Sequence, residues 1–348
     1  MKSDLSRRAC LGILGSTVLL PHLASTFAEA SARQSKGSAA ATDLKKSMRG
    51  AFMILSTPYT ASKQVDYEDL AGEVDWLEEC GVQGMVWPQN ASEYSQLTRD
   101  EIMRGMEVIT KAHTGKRAPL VLGVQQNDTK GMIELATFAE TLAPDAVIAM
   151  PPKVARSQDD YREYYSELAR TTSRPIFIQT VPVVRGIDFS LDLIYELATK
   201  HPHLGYIKEE HAPVLERLGD LVKHRPSPLS RVFGGTRGRT WPYEMRMGTD
   251  GTMNGSAMYG EIYPRLWNLY LQKDWDEIRE VHSKLLLMLT VESEVRGSAY
   301  YLLKKRGIFK TSVSRQRAHA WTPTQIEEME HNFKGLRPYL IRRRESSV

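Results

Sequence analysis

The sequence predicts an α/β protein, a (β/α)8 TIM barrel with a C-terminal helical extension. Short apolar runs alternate with stretches of helical spacing eight times between Gly50 and Leu271. The runs are continuously apolar, as strands are when both faces of a parallel sheet are buried. Eight such units in about 220 residues suit a closed barrel. An open doubly wound sheet would carry a Gly-x-Gly-x-x-Gly loop after an early strand, and none of the early turns has one.

The elements follow in order. Phe52 to Leu55 is the first strand, and Leu70, Val74, Leu77 and Cys80 give the next segment, from Asp66, a helical stripe. Gly84 to Trp87 is the second strand, and Thr98 with Glu101 is a capping-box pair opening a helix to about Ala112. Pro119 to Leu122, Ala146 to Met150 and Pro175 to Ile178 are strands three to five, with helices over 131–142, 159–170 and 190–200. Leu204 to Ile207 is the sixth strand, followed by a helix over 212–224. Arg231 to Phe233 and Gly251 to Met253 complete the ring, with helices over 242–247 and 263–271. The barrel is thus expected over 48–272. Residues 273–340 read as helices only, with a dense apolar band from Leu285 to Leu289. Such a tail can cover its own barrel or build a subunit contact.

Composition narrows the function. The chain has 348 residues, 41% apolar and 25% charged, an ordinary globular balance. A formal charge of +4 with no long basic stripe gives no nucleic-acid surface, and the run Arg342 to Arg344 reads as a solvated tail. Two cysteines, Cys10 and Cys80, exclude a disulfide scaffold and a Cys-rich zinc site. No His, Asp and Glu set has ligand spacing, so no metal and no cofactor are expected.

Residues 1–30 have the layout of an export signal. Arg7 and Arg8 precede a short apolar run from Ala9 to Leu20, and Ala28-Glu29-Ala30 is a small-residue cleavage pattern. The arginine pair resembles the twin-arginine class, with Cys10 where an aromatic is usual. Residues 31–47, rich in Ala, Ser and Lys, read as a flexible spacer. The expected location is periplasmic or otherwise exported, with no membrane attachment after the signal is removed.

Barrel chemistry lies at the carboxyl ends of the strands. These ends carry Ser56, Thr57 and Pro58; Asn90, Ala91 and Glu93; Gln125; Lys153; Gln179 and Thr180; Lys208; Gly234 and Gly235; and Asn254. The mouth is polar, with one amine placed deep on a strand. Burial favours the neutral amine, which is a nucleophile towards carbonyls, so Lys208 is a candidate Schiff-base residue. The other reading has Lys208 reaching water and paired with Glu209 or Glu210.

The chain resembles the dihydrodipicolinate synthase / N-acetylneuraminate lyase family of class I aldolases, from about Gly50 to Val291. The resemblance rests on Ser56-Thr57-Pro58, Glu93 followed by Leu97 and Thr98, Gly123 and Val124, Pro151 and Pro152, Val181 and Pro182, Tyr206 to Glu209, and Gly248 with Gly251. It implies that Lys208 forms an imine with a 2-oxo acid or related carbonyl compound, and that the protein is a homo-oligomer, a dimer or tetramer. Three departures stand out. The family's Gly-Thr-Thr-Gly-Glu carboxylate grip is Gln89-Asn90-Ala91-Ser92-Glu93 here. Its proton-shuttling Tyr-Asn is Gln179-Thr180, and a further family tyrosine is matched by Lys153. An amide is no acid or base near neutral pH. Lys153, Tyr94 and His211 are the candidates for that role, and Asn90, Ala91, Gln179, Thr180, Lys153 and Asn254 for substrate binding. The alternative is a barrel without catalysis that binds a small metabolite or serves as a scaffold.

Overall fold

The computed structural model describes residues 46–316 and 321–341. The expected export signal, the spacer up to residue 45 and the Arg342 to Arg344 run lie outside these residues.

The eight strands are β1 (Gly50–Ile54), β2 (Gly84–Trp87), β3 (Leu120–Gly123), β4 (Ala146–Ala149), β5 (Ile176–Gln179), β6 (Tyr206–Glu209), β7 (Arg231–Gly234) and β8 (Gly251–Asn254). Each pairs in parallel with the next, and β8 pairs with β1, closing the barrel. The helices that follow them are α1 (Tyr67–Cys80), α2 (Arg99–His113), α3 (Thr129–Thr141), α4 (Gln158–Thr171), α5 (Leu191–Lys200), α6 (Val214–Lys223), α7 (Trp241–Met247) and α8 (Ile262–Gln272). Caps written in the sequence set the helix starts. Asp66 accepts from the amides of Glu68 and Asp69, and Thr98 and Glu101 form the reciprocal box that opens α2.

Strand alternation divides the apolar residues into two cores. Outward side chains pack under the helices. Inward ones, including Phe52, Val121, Ile148, Phe177, Phe233 and Met253, fill the barrel. Phe233 meets Phe52 and Phe177 edge-on, with centroids 5.0 and 5.4 Å apart. This aromatic plug makes the interior a packed apolar floor.

The sixth strand departs from the expected range. Pro202–Leu204 is a 3-10 turn, and the strand starts at Tyr206 and continues through Glu209. Pro202 supplies the fixed φ that a helical turn accepts and a ladder does not. Lys208 therefore sits inside the strand, with its Cα level with Gln179 on β5 and Phe233 on β7.

Beyond the barrel come α9 (Trp275–Glu294), α10 (Ser298–Lys305) and α11 (Pro323–Leu336). Arg306 anchors α10 through a buried bidentate pair with Glu261, at 2.7 and 3.0 Å. The following segment, 307–316, then crosses the β1 and β2 loops as a strap. The Lys310 amide donates to Asp69 at 2.8 Å, Thr311 Oγ1 to the Tyr59 carbonyl at 2.5 Å, and the Arg315 guanidinium to both Glu101 oxygens at 2.6 and 2.7 Å. The tail thus covers its own barrel. Among the described residues, no helix is long and apolar enough to cross a membrane.

Candidate active site

Alternation along β6 sends Ile207 and Glu209 outward, and Tyr206 and Lys208 inward. Glu209 is held behind the barrel wall by Arg217 at 3.1 Å and by Thr180 Oγ1 at 2.7 Å. Lys208 points the other way, 2% exposed, above the aromatic plug. Burial lowers its pKa, and the nearby Glu210 carboxylate opposes that shift only in part. Glu210 Oε2 is 3.5 Å from Lys208 Nζ and also accepts from Gln179 Nε2.

Above these three residues opens a cavity of about 1270 Å³. The strand ends supply Asn90, Ala91, Gln179, Lys208, Glu210 and Asn254 to its wall, and the C-terminal region supplies Glu292, Arg296, Tyr300 and Ser314. The Tyr300 hydroxyl donates to the Thr57 carbonyl at 3.0 Å. Glu292 is almost wholly buried, and burial pushes its pKa up to about 7 despite Arg237 at 3.6 Å. Burial also raises Glu93, whose carboxylate accepts from Ser314 Oγ and the Arg315 amide. Gln179 Oε1 and Asn254 Oδ1 are buried acceptors with no donor, so a ligand with hydroxyl or amide hydrogens would satisfy them.

The residues expected to bind substrate fall into two groups. Asn90, Ala91, Gln179 and Asn254 share the cavity wall with Lys208. Thr180 does not, because it follows Gln179 on β5 and faces outward, where its hydroxyl serves Glu209 and the Glu210 amide. Lys153 is exposed, its ammonium 5.4 Å from the Tyr94 ring centroid. Neither Lys153 nor Tyr94 lines the cavity that holds the amine. His211 faces Asp188 at 3.1 Å and its own neighbour's carbonyl at 2.8 Å, outside the cavity. Glu210 is not among the acid/base candidates that the sequence offers. A signal for it exists, since a residue two places beyond Lys208 turns to the same side if the chain stays extended. Glu292 and Tyr300 carried no comparable signal, because only the tertiary path of the tail brings them here. Among the described residues, no group of three or more His, Cys, Asp or Glu side chains could hold a metal ion.

Residues 47–316 match the sequence profile of the Dihydrodipicolinate synthetase family. The chain belongs to that family. The match spans the barrel, α9, α10 and the strap, and the family is one of class I lyases and aldolases. The chain is 26% identical over 257 residues to the 4-hydroxy-tetrahydrodipicolinate synthase of Parabacteroides distasonis, which covers 72% of this chain and 85% of that one. It is 25% identical over 243 residues to the Methanocaldococcus jannaschii enzyme of the same name, covering 69% and 82%. Among solved structures, a catalytic-lysine mutant of the Ruminococcus gnavus sialic acid aldolase superposes with a TM-score of 0.77 at 17% identity, over 85% of this chain and 99% of that one. A prophage protein of the dihydrodipicolinic acid synthase family from E. coli K12, solved in complex with pyruvate, gives a TM-score of 0.75 at 19% identity, over 82% and 98%. These likenesses establish the barrel. The amide of Gln179 lies against Glu210.

Proposed function

We propose that this protein is a Schiff-base lyase or aldolase acting on a 2-oxo acid, with Lys208 as its nucleophile. The observation that supports the reading is the condition of the amine. It is buried at the base of a cavity, with its charged form disfavoured. A neutral amine adds to a ketone, and the resulting iminium draws electrons from the adjacent C–C or C–H bond. Apart from Lys208, four lysines and arginines face three carboxylates on the cavity wall, which favours an anionic substrate. Asn90, Ala91, Gln179 and Asn254 are the proposed substrate contacts. The relatives named 4-hydroxy-tetrahydrodipicolinate synthase and the structure solved with pyruvate point to the same substrate class.

The test is reductive trapping. Incubation with pyruvate and longer 2-oxo acids, followed by borohydride, should leave a substrate-sized mass on Lys208 and none on the Lys208→Ala protein. The replaced tyrosine favours a second reading, a barrel that binds a metabolite without turnover. Absence of any adduct across the panel would favour that reading. We propose further that the protein is exported through residues 1–30 and works as a homo-oligomer. Cell fractionation of the Arg7→Lys, Arg8→Lys variant tests the first point, and light scattering of the mature protein the second.

A further inference from the structure

We propose that Glu210 is the acid and base of the reaction, carrying protons to and from the atoms that bond to Lys208. This rests on the Schiff-base reading and goes beyond it.

Imine chemistry needs one group that both gives and takes a proton beside the nitrogen. Among the described residues, Glu210 is the only carboxylate within ion-pair distance of Lys208 Nζ, at 3.5 Å. It follows the lysine by two residues, just past the end of β6, and its side chain turns to the same side as Lys208. Gln179 Nε2 donates to the same Oε2 and holds it beside the amine. The neighbouring strand end makes room for it. A Cβ added at Gly235 would lie 2.4 Å from Glu210 Cγ and 2.7 Å from its Cδ. The carboxyl is therefore seated in a cradle of one amide donor and one bare glycine.

The other ionisable groups of the wall are engaged elsewhere. The Tyr300 hydroxyl is spent on the Thr57 carbonyl, Glu93 on the strap, and Glu292 lies against Arg237. Lys153, Tyr94 and His211 stand outside the cavity.

The proton balance closes with these two residues alone. The ammonium of Lys208 passes a proton to the Glu210 carboxylate, leaving a neutral amine and a carboxylic acid. The nitrogen lone pair attacks the ketone carbon, and its C=O π pair moves to oxygen. Glu210 protonates that oxygen and then removes one N–H proton. It next protonates the hydroxyl, which leaves as water while the nitrogen pair forms the C=N bond. The result is an iminium, one water and a Glu210 carboxylate. That carboxylate can then take the proton released when the adjacent bond breaks, with the bonding pair moving into the iminium.

The experiment uses the full chain with pyruvate as probe, reading the rate of borohydride-trapped adduct and the exchange of pyruvate methyl hydrogens for deuterium. Glu210→Gln should still give an adduct on Lys208, but with both rates lowered about 100-fold. Glu210→Asp, which keeps a carboxyl on a shorter stem, should recover part of the loss. Should Glu210→Gln fold poorly by circular dichroism, Glu210→Asp alone decides, with a drop of about tenfold expected. A parent protein that traps pyruvate while the Glu210 variants match its rates within about threefold overturns the proposal and spares the Schiff-base reading. A parent that traps no 2-oxo acid at all sinks both.

Discussion

Ser314 Oγ donates to Glu93 Oε1 at 2.6 Å, joining residues 221 positions apart. The bond ties the C-terminal strap to the loop after β2, and so the outer wall of the cavity to its inner wall. Arg315 doubles the tie through Glu101 and the carbonyls of Lys63 and Gln96. Both side chains of the Arg315–Glu101 pair are largely shielded, at 17% and 19% exposure. Arg315→Ala leaves Glu101 and two carbonyls short of donors, and should cost about 2 kcal/mol in urea unfolding. The strap forms part of the cavity wall, so half-saturation by pyruvate should also rise. A variant that loses stability with binding unchanged would separate the strap from the site.

Lys208→Met should remove the trapped adduct completely while the barrel stays folded. The amine is buried at the base of the cavity and carries a charge that burial disfavours. Replacing it with an apolar chain of similar length gains apolar contact but removes one partner of a buried ion pair, which destabilises where the other charge stays behind. Glu210 keeps the Gln179 donor and some solvent, so the expected melting temperature is lower by about a few degrees. Adduct formation surviving this change would move the nucleophile to another residue.

The barrel was legible because its signals are local. Apolar runs, capping boxes and breaker residues each act within a few positions, and seven of the eight strands lie where the runs lie. The sixth was misjudged because Leu204 is apolar yet turned by Pro202, so the strand gained Lys208 and Glu209 instead. The site was half legible. Strand-end residues follow from order and alternation, and alternation also separates Gln179 from Thr180. The lid residues Glu292, Tyr300 and Ser314 depend on where a tail folds back, a choice made by long-range packing that no short window of sequence records.

Gly235→Ala tests the seat of Glu210 without touching its charge. The three atoms nearest the new methyl are all in the Glu210 side chain, so that side chain must move. The fold should tolerate this at a cost of about 1–3 kcal/mol. The carboxyl, pushed off Lys208, would no longer hold up the pKa of the amine, which should fall further. The expected outcome is a protein still folded in water with trapping slowed about tenfold or more. Unchanged trapping at every pH would mean that the carboxyl needs no fixed seat.

Two buried carboxyls should shape the dependence of stability on pH. Burial pushes both Glu244, which packs against Gly234 under β7, and Glu292 up to about 7 from an ordinary 4.5. Thr240 opposes the shift at Glu244 only in part. Because both values are raised on folding, the native protein holds protons that the unfolded chain releases between the two pH values. Their contribution is full below about pH 4.5 and is lost as pH rises towards about 7. Ionising each group in the fold costs on the order of 3 kcal/mol relative to the unfolded chain. Urea unfolding at a series of pH values should therefore show stability falling between about pH 5 and 7 from these groups. Glu244→Gln keeps the shape and the Thr240 hydroxyl as a partner while removing the titration, so the slope over that range should flatten. A slope identical to the parent's would place the titrating group elsewhere.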